Sequence, residues 1–514
     1  MEDLIQSLSE YALPIVASIF VIVYLVINLF SEFDVVRSFF YAIINLRRWI
    51  FGKIYKYKRD TMDKALSDKA YVEWQKTVME YIYEPLVEIC RKNGIQICMT
   101  EIKMDKGEES YCHKYEAVNI DAKIEKYPFV HVCPKDGLSF VDLEKANNLN
   151  EDIKYTGKTK KLARKYLRWM KSSIRYPKRV GYMLDGIEFD SDGCIVSFST
   201  YTGRYLQNIV QSHIMEFELY DYYKNNSKKK SFISERTIRN RIEQENDAID
   251  NKSERVRSDF YNDLMEKFPI RQAIHNLFIE KENGEWKVLV SGKHRHSLLG
   301  VQIFVMLKNK SGSYDALRMR RSAEVVAKAG YLQFIPSGGF EAMNSGLDRD
   351  SQYSNYSLSK VLFRELLEEC FGFSENINRN CSSPEIVYHQ DAIKKILGIM
   401  DKCSDNDDCV NGVEFEFLGT SMNLVGLRQE LCFILKLDEP EFADMLISNF
   451  ESQSAINMID IRKLEDLSYW KSENNNDFDM LNCTSAGLFE LVRKSHVYRR
   501  ALGTEQDEKD HINL

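Results

Sequence analysis

The sequence predicts an α/β chain in three parts: an N-terminal transmembrane helix, a mixed α+β middle region, and a C-terminal α/β/α sandwich. Three observations predict this. A stretch near the N-terminus holds twenty residues without a charge. The middle region mixes helical and strand periods on either side of a hairpin turn signal. The C-terminal region runs through strands, a glycine turn, a carboxylate-rich helix, more strands and a closing helix, the order of a layered α/β body.

The uncharged stretch is 11–30, YALPIVASIFVIVYLVINLF. At ~1.5 Å rise per residue its helix reaches ~30 Å, the thickness of a hydrocarbon core. Pro14 falls in the first turn, where a missing N–H costs little. A cleaved signal would have a shorter apolar core, a basic leading end and a small-residue cleavage site. Here the leading end MEDLIQSLSE is acidic, and Phe30-Ser31-Glu32-Phe33 is no such site. A buried core helix is the remaining alternative. The flanks set an orientation: Glu2, Asp3 and Glu10 precede the stretch, whereas Arg37, Arg47, Arg48, Lys53, Lys56, Lys58 and Arg59 follow it. The positive-inside rule therefore places the body in the cytoplasm. Residues 36–55 are interrupted by Arg37, Arg47 and Arg48 and read as a basic amphipathic helix at the lipid surface or a second membrane helix. Phe39, Phe40, Trp49 and Tyr55 are its interfacial aromatics. Residues 1–59 are thus the membrane anchor, with lipid as a partner.

The chain has 514 residues, enough for two or three domains after the anchor. Its net charge of −7 gives no overall field for a nucleic-acid polymer. The eleven cysteines are scattered singly and complete no zinc spacing with the nine histidines. His294 and His296, in the run GKHRHS, read as a solvated loop. Reduced thiols in a cytosolic compartment are the simplest account.

Residues 60–222 form the α+β middle domain. Asp63 to Cys90 and the basic run 158–173 read as helices, as does 205–223. Strands are expected around IEF and CIVSFSTY, separated by the turn DSDG. No catalytic constellation stands out in this domain. Residues 223–258 are charged, poor in large apolar side chains, and read as a linker. Residues 501–514 read as a tail.

The chemistry concentrates in 259–500. Strand-like runs WKVLVSG, LGVQIFVMLKN and YDALRMRRS lead to LQFIPSGGFE and then to a helix containing KVLFRELLEEC. FEFLGTS and LRQELCFILKLD follow as strands, and AGLFELVRKSH closes as a helix. In the carboxylate helix Glu365, Glu368 and Glu369 stand at i, i+3 and i+4, on one face. Their mutual repulsion would be relieved by a hard cation with oxygen ligands, Mg²⁺ or Mn²⁺, able to bridge to a diphosphate. Taken alone, the hexapeptide reads first as an exposed glutamate surface, because charged helix faces are common.

The context is what distinguishes it. Pro336-Ser337-Gly338-Gly339-Phe340-Glu341 precedes the helix, and together they resemble the Nudix box. Arg364, Glu365, Leu366, Glu368 and Glu369 match its second half; Gly338, Gly339 and Glu341 resemble its opening. The resemblance implies a Nudix-like sandwich in which the glutamates bind divalent metal, one of them helps activate water, and the arginine orients the helix. The chain departs from the pattern in three places. The spacing from Gly339 to Arg364 is roughly eleven residues too long, through MNSGLDRDSQYSNYS. Tyr356 stands where the internal glutamate is expected, and Phe371 takes the terminal glycine position with Gly372 one place late.

A membrane anchor joined to a Nudix-like domain also resembles the effectors of bacterial cyclic-oligonucleotide antiphage (CBASS) systems. That resemblance implies a cyclic-oligonucleotide ligand, a homo-oligomer, and an output at the bacterial inner membrane, which the assembly disrupts. Arg318, Arg320 and Arg321 would meet phosphates, and Tyr331 and Phe334 would stack on bases, beside Gly338, Gly339, Glu341 and Arg364. Phe334 as plain core and the arginines as a solvated edge strand are the bland alternatives. The competing function is a membrane-anchored, metal-dependent Nudix hydrolase of a nucleoside diphosphate derivative.

Overall fold

The computed structural model describes residues 97–103, 110–122, 131–134, 161, 179–191, 195–204, 215, 218, 268–272, 280–282, 285–292, 295, 297–321, 331–343, 347–372, 384–404, 412–424, 426–450, 456–472, 475–476 and 481–504. The chain divides into two compact units, and every described residue belongs to the second, Ala65–Lys171 with Arg175–Leu514. The expected membrane segments 11–30 and 36–55, the helix from Asp63 and the linker 223–258 lie outside the described residues. Among the described residues no helix is long and apolar enough to cross a membrane.

The body is a mixed α/β layer structure. Its central sheet takes β1 (Ile97–Lys103), β2 (Ser110–Asp121), β3 (Gly300–Lys308), β4 (Tyr314–Arg320), β5 (Leu332–Phe334), β6 (Ser337–Gly339), β7 (Val413–Asn423), β8 (Gln429–Leu437) and β9 (Ile456–Asp460). The path across it is β1-β2-β7-β8-β3-β4-β5, with β6 also on β3 and β9 also on β4. Every pair is antiparallel except β8 with β3, which run parallel in the register Glu430↔Gly300 to Leu437↔Leu307. These two central strands are apolar almost throughout because both of their faces are covered.

Helices supply the two covers. On one face Val301, Ile303, Val305 and Leu307 pack with Val361, Leu362, Leu366 and Leu367 of α1 (Leu358–Cys370) and with Ile393 and Ile396 of α2 (Asp391–Ser404). On the other face Phe304 and Met306 meet Leu488, Phe489 and Val492 of α3 (Cys483–Lys494) and Tyr498 of α4 (His496–Leu502). Each large side chain so buried contributes about 1.5–3 kcal/mol.

The IEF and CIVSFSTY strands form as expected, over Val180–Phe189 and Ile195–Arg204, in a small sheet with His131–Pro134. The first of them is stitched into the larger body. Tyr182 N donates to Phe340 O at 2.9 Å, and Leu299 N donates to Tyr182 O at 3.1 Å. Residues 180–184 thus run between 297–299 and 340–342, which brings Arg179 beside Glu341.

Three local expectations need correction. WKVLVSG is not a strand: Glu285–Trp286 pairs with Lys281–Glu282, and Lys287–Val290 forms a helical turn closed by Ser291 N on Lys287 O at 2.9 Å. Val288, Leu289 and Val290 are all buried, so the run has no alternation to reveal its period. The polar insertion is not all loop, since Arg349–Asn355 is helical with Asp348 as its N-cap. Residues 501 and 502, expected in the tail, are helical, because α4 continues to Leu502 and ends on Gly503 at φ 70°.

Candidate functional site

A cleft of about 380 Å³ opens where β6, α1, the start of β8 and the start of α3 meet. Its lining includes Arg179, Arg321, Ser337, Gly338, Gly339, Glu341, Met343, Arg364, Glu365, Glu368, Arg428, Glu430 and Asn482. That volume lies toward the lower end of ligand pockets, about 300–1,000 Å³.

The floor is a row in which two of three residues are glycine. Glu430, Gly300 and Gly339 sit side by side across β8, β3 and β6. A Cβ at Gly300 would stand 2.7 Å from Glu430 Cγ, and one at Gly338 would stand 2.0 Å from the Glu365 carboxyl carbon. The glycines are therefore needed for close approach: they let charged side chains lie directly on the backbone.

One wall is α1. Ser357 caps its start by accepting from Lys360 N at 3.3 Å, and Gly372 follows its end at φ 70°. The late glycine still supplies a left-handed residue just beyond the C-cap Phe371. Arg364 is buried and bidentate to the turn: Nη1 donates to Glu341 O at 3.0 Å and Nη2 to Gly339 O at 3.3 Å. It also pairs with Glu365. Burial alone would lower its pKa, but Glu365, Glu341 and Glu368 outweigh that and keep it charged. Arg364 thus fixes the helix to the glycine turn.

The expected carboxylate trio is brought together, though two of its members are committed to protein partners. Glu365 pairs with Arg364, and Glu369 Oε2 accepts from Ser337 N at 2.8 Å. Glu368 lines the cleft. Burial pushes the Glu369 carboxyl up to about 8, helped by the nearby charges of Glu365 and Glu368 and opposed by the Ser337 N–H and Arg321. Among the described residues no group of three or more His, Cys, Asp or Glu is arranged to hold a metal ion. A cation here would have to draw Glu365 from its arginine and Glu369 from its amide.

The opposite wall is the start of α3. Its N-cap Asn482 lines the cleft and makes no side-chain cap hydrogen bond. The partial positive charge of a helix N-terminus therefore faces this region. Arg428 donates to Gly338 O at 3.1 Å and stands beside Glu430. It follows Leu427, which adopts φ 53°, a left-handed conformation costly for a non-glycine residue. That turn is pinned from below. Leu427 O accepts from Ser297 Oγ at 2.9 Å and from the fully buried Arg295 at 3.4 Å. The run read as a solvated loop is therefore partly interior, with Arg295 at 1% exposure. Arg179 closes one end of the cleft with a 2.6 Å ion pair to Glu341.

Of the residues singled out in the sequence, Gly338, Gly339, Glu341, Arg321, Arg364, Glu365 and Glu368 line this cleft. Arg318, Arg320, Tyr331 and Phe334 are not among its lining. Phe334 packs against Phe304 and Phe489 in the second core, with ring centroids 4.8 and 5.6 Å away. Arg318 is buried over Tyr469 and Trp470 at 5.4 and 5.9 Å. Tyr331 is buried and Arg320 exposed. Along β4 the period of two puts Arg318 and Arg320 on one face, paired with Phe334 and Leu332, whereas Arg321 just beyond the strand lines the cleft. Tyr356 joins the core, hydrogen-bonded to Thr200 at 2.7 Å and edge-on to Tyr182. Sequence reasoning missed Arg179, Arg428, Glu430 and Asn482. The available signal was Glu430, a carboxylate at the head of a largely apolar strand.

No protein-family model matches the chain, and no curated protein matches it.

Proposed function

We propose that the chain is a membrane-anchored sensor whose C-terminal domain has a Nudix-like fold and binds a cyclic oligonucleotide without turning it over. One observation carries the reading: Arg179, Arg321, Arg364 and Arg428 surround a glycine floor beside the N-terminus of α3. Guanidinium groups and a helix N-terminus are phosphate-binding chemistry. The cleft volume suits one nucleotide unit, so the rest of the ring faces outward. Turnover is disfavoured because Glu365 and Glu369 serve protein partners and Tyr356 lies in the core where the resembled motif has a glutamate.

Binding favours an assembly-competent state, and clustering of the bodies gathers their anchors in the bacterial inner membrane, in antiphage defence. To move such an equilibrium from about 1:99 to 99:1, the ligand must prefer the active state by ~5.5 kcal/mol, which several subunits can share.

The second reading, a Mg²⁺- or Mn²⁺-dependent hydrolase, is favoured by Glu369. A carboxyl raised to about 8 is suited to proton transfer near neutral pH. The test uses the full chain in detergent micelles with a panel of cyclic di- and trinucleotides and a linear diphosphate such as ADP-ribose. Binding, oligomer size and ligand integrity are followed, with and without Mn²⁺. Tight binding with assembly and intact ligand supports the sensor. Metal-dependent cleavage of the linear diphosphate, with no cyclic ligand bound, replaces it with the hydrolase.

A further inference from the structure

Phosphate binding leaves Glu430 unexplained. A carboxylate repels a phosphate, yet this one lines the cleft with its side chain only 9% exposed. Thr484 hydrogen-bonds the carboxyl group, but its Oε2 has no hydrogen-bond partner. Oε1 lies 3.7 Å from Arg428 Nε, too far for a hydrogen bond, and that Nε is likewise buried without an acceptor. Within one ion pair, a guanidinium nitrogen and a carboxylate oxygen are therefore buried without a hydrogen-bond partner. Such groups are rare in native interiors and point to a missing partner.

The position is built to hold them. Gly300 leaves the space in which both side chains lie, since a Cβ there would meet Glu430 Cγ at 2.7 Å and Arg428 Nη2 at 3.0 Å. The left-handed turn at Leu427, pinned by Ser297 and Arg295, delivers Arg428 to that space. An apolar residue at 430 would continue the strand without burying a charge.

We infer that Arg428 and Glu430 together read the Watson–Crick edge of a guanine in the ligand, an inference that rests on the nucleotide-binding reading above. Guanine presents an acceptor, O6, followed by two donors, N1–H and the 2-amino group. The partly exposed Arg428 guanidinium supplies the donor for O6, and the Glu430 carboxylate accepts from N1–H and the 2-amino group. The other bases fit worse. Adenine and cytosine place a ring acceptor beside their amino donor, which would face a carboxylate oxygen. Uracil flanks its single N–H with two carbonyls. An unmatched partner leaves the cleft's buried groups unpaired, the situation that gives polar sites their selectivity.

The experiment compares cyclic diguanylate, its inosine analogue and cyclic diadenylate on the full chain by calorimetry, with inorganic diphosphate as the base-free probe. Cyclic diguanylate is expected to bind tightest. The inosine analogue, which lacks only the 2-amino group, should lose roughly tenfold to a hundredfold, as for one hydrogen bond to a charged group. Glu430→Gln should erase the preference for guanine over adenine, while inorganic diphosphate, relieved of a repelling charge, should bind more tightly. Equal binding of the three cyclic ligands by the natural chain overturns the inference and leaves the nucleotide reading standing. A guanine preference that survives in Glu430→Gln also overturns it. Binding of no cyclic di- or trinucleotide at all overturns both. The inosine comparison needs no substitution, so it decides even if the variant fails to fold.

Discussion

Two regions of the central sheet are stabilised in different ways. Beneath α3 and α4 the core is aromatic and hydrocarbon, centred on Phe304, Phe334, Phe489, Trp470 and Tyr498. On the α1 side the sheet has a second apolar core, but at the glycine turn it also meets a set of partly buried charges, held by ion pairs and backbone hydrogen bonds. The first arrangement gains free energy from removing apolar area from water. The second spends desolvation energy to hold charged groups in place, which stability alone does not require. The contrast places the candidate site at the charged end of the sheet and the support in its two apolar cores.

Three substitutions sharpen or break that contrast. The largest effect is expected from Phe489→Ala, which opens a cavity in one of the apolar cores and should cost about 3–5 kcal/mol. Denaturant unfolding would measure it, and affinity per folded molecule should be unchanged. Loss of affinity by a still-folded variant would break the division between the regions. Gly338→Ala comes next. Its methyl would stand 2.0 Å from the Glu365 carboxyl carbon, so the α1 wall must move. A cost of about 1–3 kcal/mol is expected, together with weakened ligand binding by calorimetry.

The smallest effect concerns pH. The Glu369 carboxyl is raised from its ordinary 4.5 to about 8, so the folded chain binds a proton that the unfolded chain has already released. Stability from this group is therefore present below pH ~4.5 and lost as pH rises toward ~8. Glu369→Gln keeps an acceptor for Ser337 N and removes the ionisation. It should match the natural chain in acid and exceed it above pH 8, on the order of 1 kcal/mol after allowance for solvent screening. Melting curves at pH 5 and pH 9 would show it. A variant no more stable at pH 9 would mean the charged carboxylate is tolerated.

The sheet and the α1 face were legible in the sequence because their signals are local. LGVQIFVMLKN and LRQELCFILKLD are long apolar runs, and FRELLEEC carries a helical period. The glycines beside Ser337 were legible for a related reason, since a backbone that charged side chains approach closely needs residues without a Cβ. The rest of the cleft comes from residues far apart in the chain. Arg179 reaches Glu341 only because 180–184 inserts between two other segments, an event no local period records. Arg428 depends on Leu427 taking a conformation that its side chain does not advertise. Arg318 and Phe334 were drawn to the cleft by nearness in sequence, whereas strand alternation carries them to the other core.

The pairing of β2 with β7 has a consequence for synthesis. Asp121 meets Gly419 across nearly 300 intervening residues, and β7 must exist before β2 has that neighbour. At ~5–20 residues per second, a ribosome needs roughly 15–60 s to supply it. During that interval the nascent chain carries an open strand edge, and every folding event that closes the sheet waits on the C-terminal third of the protein. Chaperone occupancy of the growing chain, and the speed of translation through 122–413, should therefore govern how much of this protein reaches its folded state.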